Sequence, residues 1–426
     1  MQFTNTKDYA LQLDREDPLK GCRDQFIVPR EEGREQIYFL GNSLGLQPRN
    51  ARAEIDAILQ QWSDYGVEGF FRGKTPWMDY HDQLTKPLSV IVGCKPQEIS
   101  VMNQLTVNLH LMMVSFYRPA GKKIKILCEA KAFPSDQYMF ETHVKHHGYN
   151  PDNVLIEVKP RDGEQLLRKE DILSAIETHQ EELALVLLGG LNYYSGQVLD
   201  METITRAAHA AGIKVGFDLA HAAGNIPLSL HDWDIDFACW CSYKYLNAGP
   251  GAMGAVFIHE RFHQDPEIHR FAGWWGYQKD KRFKMEKGFL PIGTAEGWQI
   301  STPSLFLYAT QKAALEVVEN AGWEQILQKQ KKLTAYLWLM LDDLNAALPE
   351  ERKIRIITPR NEQERGCQVS LLFPENGRAI FEFLGKNGIM TDWREPNVIR
   401  MAPVPLYNRY TEIWTMKECL QKMLAI

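Results

Sequence analysis

A chain of 426 residues, 45% hydrophobic and 24% charged, has ordinary globular composition and exceeds what one small core accommodates, so two domains are expected. Its net charge of −6 gives no reason to expect nucleic acid or an acidic membrane surface as a partner, and no apolar run approaches the length of a membrane span. The seven cysteines are scattered and lack zinc-site spacing, and Met1–Asp8 lacks the basic-then-apolar pattern of a secretory signal; a reduced, cytoplasmic protein without a bound metal is expected.

Residues 8–40 read as polar and irregular until Ile37–Leu40, a short strand stopped by Gly41-Asn42-Ser43. Ala53, Ile55, Ile58, Leu59 and Trp62 fall at helical spacing across 51–65. Tyr65–Trp77, rich in glycine and aromatics, reads as a loop with a task rather than a linker. A helix to about Val92 and a strand at Ile99–Met102 follow, and from there strand and helix alternate. Strands are expected at Lys123–Cys128, Asn153–Val158, Leu183–Leu188, Ile213–Phe217, Phe237–Cys241 and Met253–Ile258, with helices between them that include 134–147 and 201–211. This alternation predicts an α/β fold: a three-layer sandwich with a mainly parallel central sheet. Beyond about residue 300 the pattern becomes a long helix over 304–345, broken near Gly322, then strands at Lys353–Thr358 and Cys367–Phe373, a helix at 377–387 and a strand at Val398–Ala402. These group as a smaller α+β domain. The expected division is a large domain over 45–300 and a small one built from 1–44 and 301–426.

Two strand ends carry the chemistry. Asp218 closes the apolar run Ile213–Phe217, and Lys244 lies just past Phe237–Cys241. A pyridoxal phosphate enzyme needs this pair: the lysine forms an imine with the cofactor aldehyde, and the carboxylate keeps the pyridine nitrogen protonated. In open α/β sheets such ligands sit outside the carboxyl ends of the strands. Lys244 is followed by Asn247-Ala248-Gly249-Pro250-Gly251, a turn that lets backbone approach a ligand closely. Asp218 also reads as a helix N-cap, and His221 reads either as a cofactor contact or as a satisfied core histidine.

Other candidates flank this pair. Leu105 and Thr106 open a helix to about Tyr117, whose free N–H groups suit a phosphate, although an ordinary threonine cap gives the same pattern. Phe133-Pro134-Ser135-Asp136 offers an aromatic face for the pyridine ring and an acid for its phenolic edge, with plain helix capping as the rival account. Trp274 is a donor for the phosphate or a packing contact between domains or subunits, and Thr302 is a second phosphate candidate. Arg400, alone between Val398 and Ala402 on one strand face, suits a substrate carboxylate or a structural salt bridge, and Arg394 competes for the same task. His143, His146 and His147 read as a solvated helix face, and Asp232, Asp234 and Asp236 as caps of an exposed loop.

Long stretches of the chain resemble the kynureninase family of fold type I pyridoxal phosphate enzymes: Tyr38–Leu46, Leu105–His110, Ala130–Asp136, Val215–Asn225, Trp233–Gly249, Arg282–Met285 and Arg394–Asn408. The resemblance implies hydrolysis of L-kynurenine, or 3-hydroxykynurenine, to anthranilate, or 3-hydroxyanthranilate, and L-alanine. It places the chain in tryptophan catabolism and the supply of precursors for nicotinamide cofactors. It further implies a homodimer with the site at the domain and subunit junction. Lys244 then binds pyridoxal 5'-phosphate covalently, Asp218 faces the ring nitrogen and Phe133 stacks on the ring with Pro134, Ser135 and Asp136 beside it. Leu105, Thr106, Tyr243, Trp274 and Thr302 hold or flank the phosphate, His221 lies beside the cofactor, and Arg400 takes the substrate carboxylate. Tyr243 is the expected proton relay. Thr302 replaces the Asn of animal relatives that favour 3-hydroxykynurenine, and Tyr65–Phe71 also departs from their pattern, which points to kynurenine. Cysteine desulfurases share the fold but need a nucleophilic cysteine, and the positional candidate, Cys367, opens an apolar strand pattern.

Overall fold

Seven strands form the central sheet of the computed structural model, which describes residues 4–425. They are β1 (Ile99–Val101), β2 (Lys125–Glu129), β3 (Leu155–Val158), β4 (Leu183–Gly189), β5 (Lys214–Asp218), β6 (Phe237–Cys241) and β7 (Gly254–Ile258). Their spatial order is β1-β7-β6-β5-β4-β2-β3. β3, β2, β4, β5 and β6 pair in parallel, and β7 alone runs antiparallel to its neighbours. Every residue of β6 and β7 is buried, as a strand covered on both faces requires.

The side-chain period of two divides each strand between the two layers. Phe237 and Cys239 face a core with Met112, Met113 and Phe116 of helix α1 (Leu105–Phe116) and Met139 and Phe140 of helix α2 (Pro134–His146). Ala238 and Trp240 face the opposite core, with Leu84, Leu88 and Ile91. This second layer extends past residue 300, since Tyr308, Leu315 and Ile326 belong to it. The expected long helix is two, α3 (Leu305–Ala321) and α4 (Trp323–Ala347), parted at Gly322, whose φ of 80° lies where side chains other than glycine are strained.

A third core joins Leu333–Leu344 to a four-stranded antiparallel sheet of Arg355–Ile356, Val369–Leu372, Val398–Met401 and Asp392–Arg394. Ile37–Tyr38 pairs in parallel with Ile389–Met390, which ties the N-terminal segment to this unit. The irregular reading of residues 8–40 needs correction, because Lys7–Glu16 is a helix. Thr6 caps it by accepting the Tyr9 N–H, and Ala10 buries fully against the C-terminal helix Tyr410–Leu424. Asp14 in turn accepts the N–H groups of Tyr410 and Thr411, so each helix supports the start or face of the other.

Candidate active site

β5 and β6 end side by side, with Asp218 in register with Cys239. The chain then turns tightly: the Ala248 N–H donates to the Ser242 carbonyl at 3.0 Å, and the Asn247 N–H to the Lys244 carbonyl at 3.0 Å. Gln311 Nε2 pins Ser242 Oγ at 3.0 Å. Gly45 lies against this turn, donating to the Tyr243 carbonyl at 2.8 Å, and a Cβ there would stand 2.4 Å from the Lys244 carbonyl. The outcome is a rigid mount for Lys244. Its side chain is 8% exposed, with Nζ 5.9 Å from the Phe133 ring centroid and 5.8 Å from that of Tyr243. Among the described residues its ammonium has no hydrogen bond or ion pair.

Three buried carboxyls share the pocket with that single ammonium. Asp218 Oδ1 accepts the Ala220 N–H at 2.7 Å; burial raises its pKa, while that bond and the Lys244 charge oppose the rise. Asp136 hydrogen-bonds to Asp218, and burial together with the Asp218 charge pushes it well above the usual carboxylate range. Of this pair Asp136 therefore holds the proton and Asp218 the charge. His221 is neutral, because burial and the nearby Lys244 and Arg400 charges hold its imidazole far below the usual value, and its Nδ1 has no partner.

Helix α1 begins at the pocket edge. Its N-cap, Gln104, makes no side-chain capping bond, and Asn108 anchors the first turn by donating to the Met102 carbonyl at 2.7 Å. The first N–H groups, those of Leu105 and Thr106 among them, have no helical partner and stand at an anion-favouring dipole end. Phe133 precedes α2 with its ring 40% exposed over the pocket, met edge-on by Tyr193 at 5.4 Å. A lone ammonium, an acid pair, an open helix start and an aromatic face are the donor set that pyridoxal phosphate requires, so the residues fit that cofactor.

The structure brings Leu105, Thr106, Phe133, Ser135, Asp136, Asp218, His221, Tyr243 and Lys244 to one pocket. Pro134 opens α2 and stands outside the lining. Trp274 and Thr302 are exposed and do not line the pocket of a single chain; Trp274 packs on Phe283 at 5.7 Å. Arg400 does not line the pocket of a single chain either. It lies fully buried behind the pocket wall, paired with Asp392 and donating to the Tyr193 carbonyl. The salt-bridge account of Arg400 thus holds within one chain, and Arg394 shares Asp392 at 3.2 Å.

Sequence reasoning missed Glu129, the third carboxyl, and the Asn192-Tyr193 turn. The signal was present, since Glu129 ends a parallel strand at the carboxyl edge of the sheet, where ligands collect. Burial pushes Glu129 up to about 7, with the Asp218 charge adding to the rise and the Asn192 and Gly189 hydrogen bonds opposing it. Between about 4.5 and about 7 the folded chain therefore keeps a proton that the unfolded chain releases, so stability falls as pH rises through that window. The thermal midpoint of the cofactor-free protein should drop across it, by up to about 1.4 kcal/mol of stability per pH unit. Glu129→Gln should flatten that segment; parallel curves for the two proteins would place the proton elsewhere.

The family model described as the kynureninase C-terminal domain matches residues 326–420. A kynureninase from Flavobacterium psychrophilum is 53% identical over 422 residues, covering 99% of this chain and 99% of the relative. One from Myxococcus xanthus is 50% identical over 420 residues, covering 98% and 97%. Among solved structures, the cysteine desulfurase CsdA from Escherichia coli matches with a TM-score of 0.75 at 15% identity, covering 96% of this chain and 98% of that one. A lysine-to-alanine mutant of C-DES, with glycine covalently linked to its pyridoxal phosphate, matches at 0.73 and 19%, covering 90% and 96%. At such identities the two structures speak for the fold alone.

Proposed function

Because the chain belongs to the kynureninase family, we propose that it hydrolyses L-kynurenine to anthranilate and L-alanine at the Lys244 pocket, with pyridoxal phosphate as cofactor. The observation that carries this reading is Lys244 itself: a nearly buried ammonium on a rigid turn, unpaired and facing Asp218. When bound, pyridoxal phosphate supplies an electrophilic aldehyde carbon and a ring that takes up the electron pair left when a bond to the amino acid's α-carbon breaks. Leu105, Thr106 and Tyr243 would hold its phosphate, Phe133 would cover the ring with His221 beside it, and the Asp218 anion would keep the ring nitrogen cationic.

Lys244 would be the base that takes the α-proton of the bound amino acid. The relay in this reading is Tyr243, whose ring centroid lies 5.8 Å from Lys244 Nζ. Burial pushes its phenol far above the usual range, so it stays an O–H donor at neutral pH. Water then adds to the γ-carbonyl of the side chain and the Cβ–Cγ bond breaks with its electrons left on Cβ. A proton delivered to Cβ completes alanine, and the other fragment leaves as anthranilate. Arg400, whose buried Nε has no hydrogen-bond partner among the described residues, takes the α-carboxylate, with Arg394 beside it.

A second copy of the chain completes the pocket. Trp274 and Thr302 are exposed beyond the rim of one chain, and Trp274 belongs to an exposed aromatic cluster with Phe71 and Phe283. Phe70, packed against Trp77 and Trp275, lies in the Tyr65–Phe71 segment that shapes the aryl end. With Thr302 this segment favours kynurenine over its 3-hydroxy form. The enzyme works in the cytoplasm, in tryptophan catabolism and nicotinamide precursor supply; its cysteines are free, and Cys128, Cys239, Cys241, Cys367 and Cys419 are buried. No helix among the described residues is long and apolar enough to cross a membrane. A desulfurase chemistry is disfavoured because burial raises the Cys367 thiol far above its usual pKa and leaves it unreactive.

Anthranilate fluorescence, read from purified protein loaded with the cofactor and given L-kynurenine or 3-hydroxykynurenine in parallel, tests this reading. Faster release from kynurenine is expected. A loaded enzyme that releases neither product would move the assignment to β-elimination of cysteine-like substrates.

A further inference from the structure

Glu129 takes no part in the chemistry described above, yet its carboxyl stands at the junction of two halves of the site. It ends β2 on the pocket floor with Asp136 and Asp218, and its Oε2 accepts Asn192 Nδ2 at 3.0 Å. The orientation of Asn192 is not free. Its Oδ1 accepts the Tyr194 N–H at 3.0 Å, the Ser195 N–H at 2.9 Å and Ser195 Oγ at 3.1 Å, so only the amide nitrogen is left to face Glu129. Between these anchors lies Tyr193. Its carbonyl accepts both Arg400 and Gln368 Nε2, the latter at 3.0 Å, and its ring meets Phe133. Among the described residues Arg400 has one other polar partner, Asp392, so the Tyr193 carbonyl and that carboxylate together set where the guanidinium points.

We propose that Glu129 is a positioning residue for substrate recognition: through Asn192 it sets the Tyr193 carbonyl, and that carbonyl aims Arg400 at the α-carboxylate of the amino acid. The inference rests on the reading of Arg400 as the carboxylate's partner. A strand on the cofactor floor thereby fixes an arginine that the small unit supplies, although the two residues never touch. The turn also keeps other holds, among them Ser370 Oγ on the Tyr194 carbonyl at 2.7 Å, so loss of Glu129 should tilt it rather than unfold it.

The test compares Glu129→Ala, Glu129→Gln and Arg400→Met as cofactor-loaded enzymes. It reads kcat and KM for L-kynurenine and, separately from turnover, the dissociation constant of L-alanine from the shift in cofactor absorbance. Glu129→Ala should raise KM and weaken alanine about tenfold with kcat nearly kept, because a hydrogen bond that orients a charged group is lost. Glu129→Gln, which retains an acceptor for Asn192, should recover most of that loss. Arg400→Met should raise KM about a hundredfold, and adding Glu129→Ala to it should cost less than about threefold more, since the two act on one contact. If Glu129→Ala does not fold, Glu129→Met, which fills the space without an acceptor, carries the same expectation. Should Arg400→Met leave KM unchanged, the carboxylate reading falls and takes the positioning role with it. Should Arg400→Met raise KM while the Glu129 variants do not, or while they lower kcat instead, Arg400 stands and the role given to Glu129 is overturned.

Discussion

Replacing Lys244 with alanine is expected to lower turnover of L-kynurenine by ~10⁴-fold or more while leaving the fold intact. Both halves of that expectation follow from where the side chain sits. Its ammonium makes no hydrogen bond or ion pair among the described residues, so truncation leaves no buried partner unsatisfied. The turn that carries it is held by the Gly45 N–H on the Tyr243 carbonyl, by Gln311 on Ser242 and by its own backbone bonds, none of which involves the lysine side chain. What truncation removes is the one amine among the described residues that line the pocket, and with it the group proposed as both covalent anchor and base. Borohydride reduction followed by mass spectrometry should find the cofactor's mass on the peptide containing Lys244 in the wild type and nowhere in the variant. The thermal midpoint of the cofactor-free protein should barely move. A variant that still turns over at a hundredth of the wild-type rate would mean that another residue is the base.

The large sheet is legible because its inner strands are buried on both faces and read as apolar runs, whereas the edge strand β3 exposes Glu157. Phe237–Cys241 falls where expected to the residue, and the other strands shift by one or two positions at their ends. Asp218 and Lys244 stood out for the same reason, as polar residues at the ends of such runs. The two terminal helices were illegible because neither is self-sufficient. Lys7–Glu16 buries only Ala10 completely, and Tyr410–Leu424 takes part of its N-terminal capping from Asp14, 396 residues earlier in the chain. Arg400 announced a partner, and that partner, Asp392, lies directly opposite on the neighbouring strand, a pairing that needs the register to be seen. Asp236 departs from the exposed loop that its sequence suggests: it is buried, and it accepts the Val215 N–H, His209 and Arg261, contacts drawn from three separate segments. Trp274 and Thr302 show a different boundary, since both are exposed outside the pocket lining of one chain and their own sequence does not say what would cover them.

The second large effect is expected at Asp218. Three carboxyls lie near one ammonium, so which of them carries charge decides whether the pocket can hold a cationic ring nitrogen. Asp136 is disfavoured as the charged member by its burial and by Asp218 itself. Burial and the Asp218 charge likewise push Glu129 up to about 7. Asp218 has the Ala220 N–H and the Lys244 charge to stabilise its anion, and the Asp136 proton is donated toward it. Asp218→Ala removes that anion, and Asp218→Asn keeps the shape but loses the charge; each should cut kcat/KM by ~10³-fold, about 4 kcal/mol of transition-state stabilisation. The loss should fall on α-proton removal. Exchange of the α-proton of L-alanine in deuterated water, followed by NMR, isolates that step from carbon–carbon cleavage and should slow by a similar factor. Exchange near the wild-type rate in Asp218→Asn would show that the negative charge is not what the step requires. An effect on cleavage alone would move Asp218 from the α-carbon chemistry to the later protonation of Cβ.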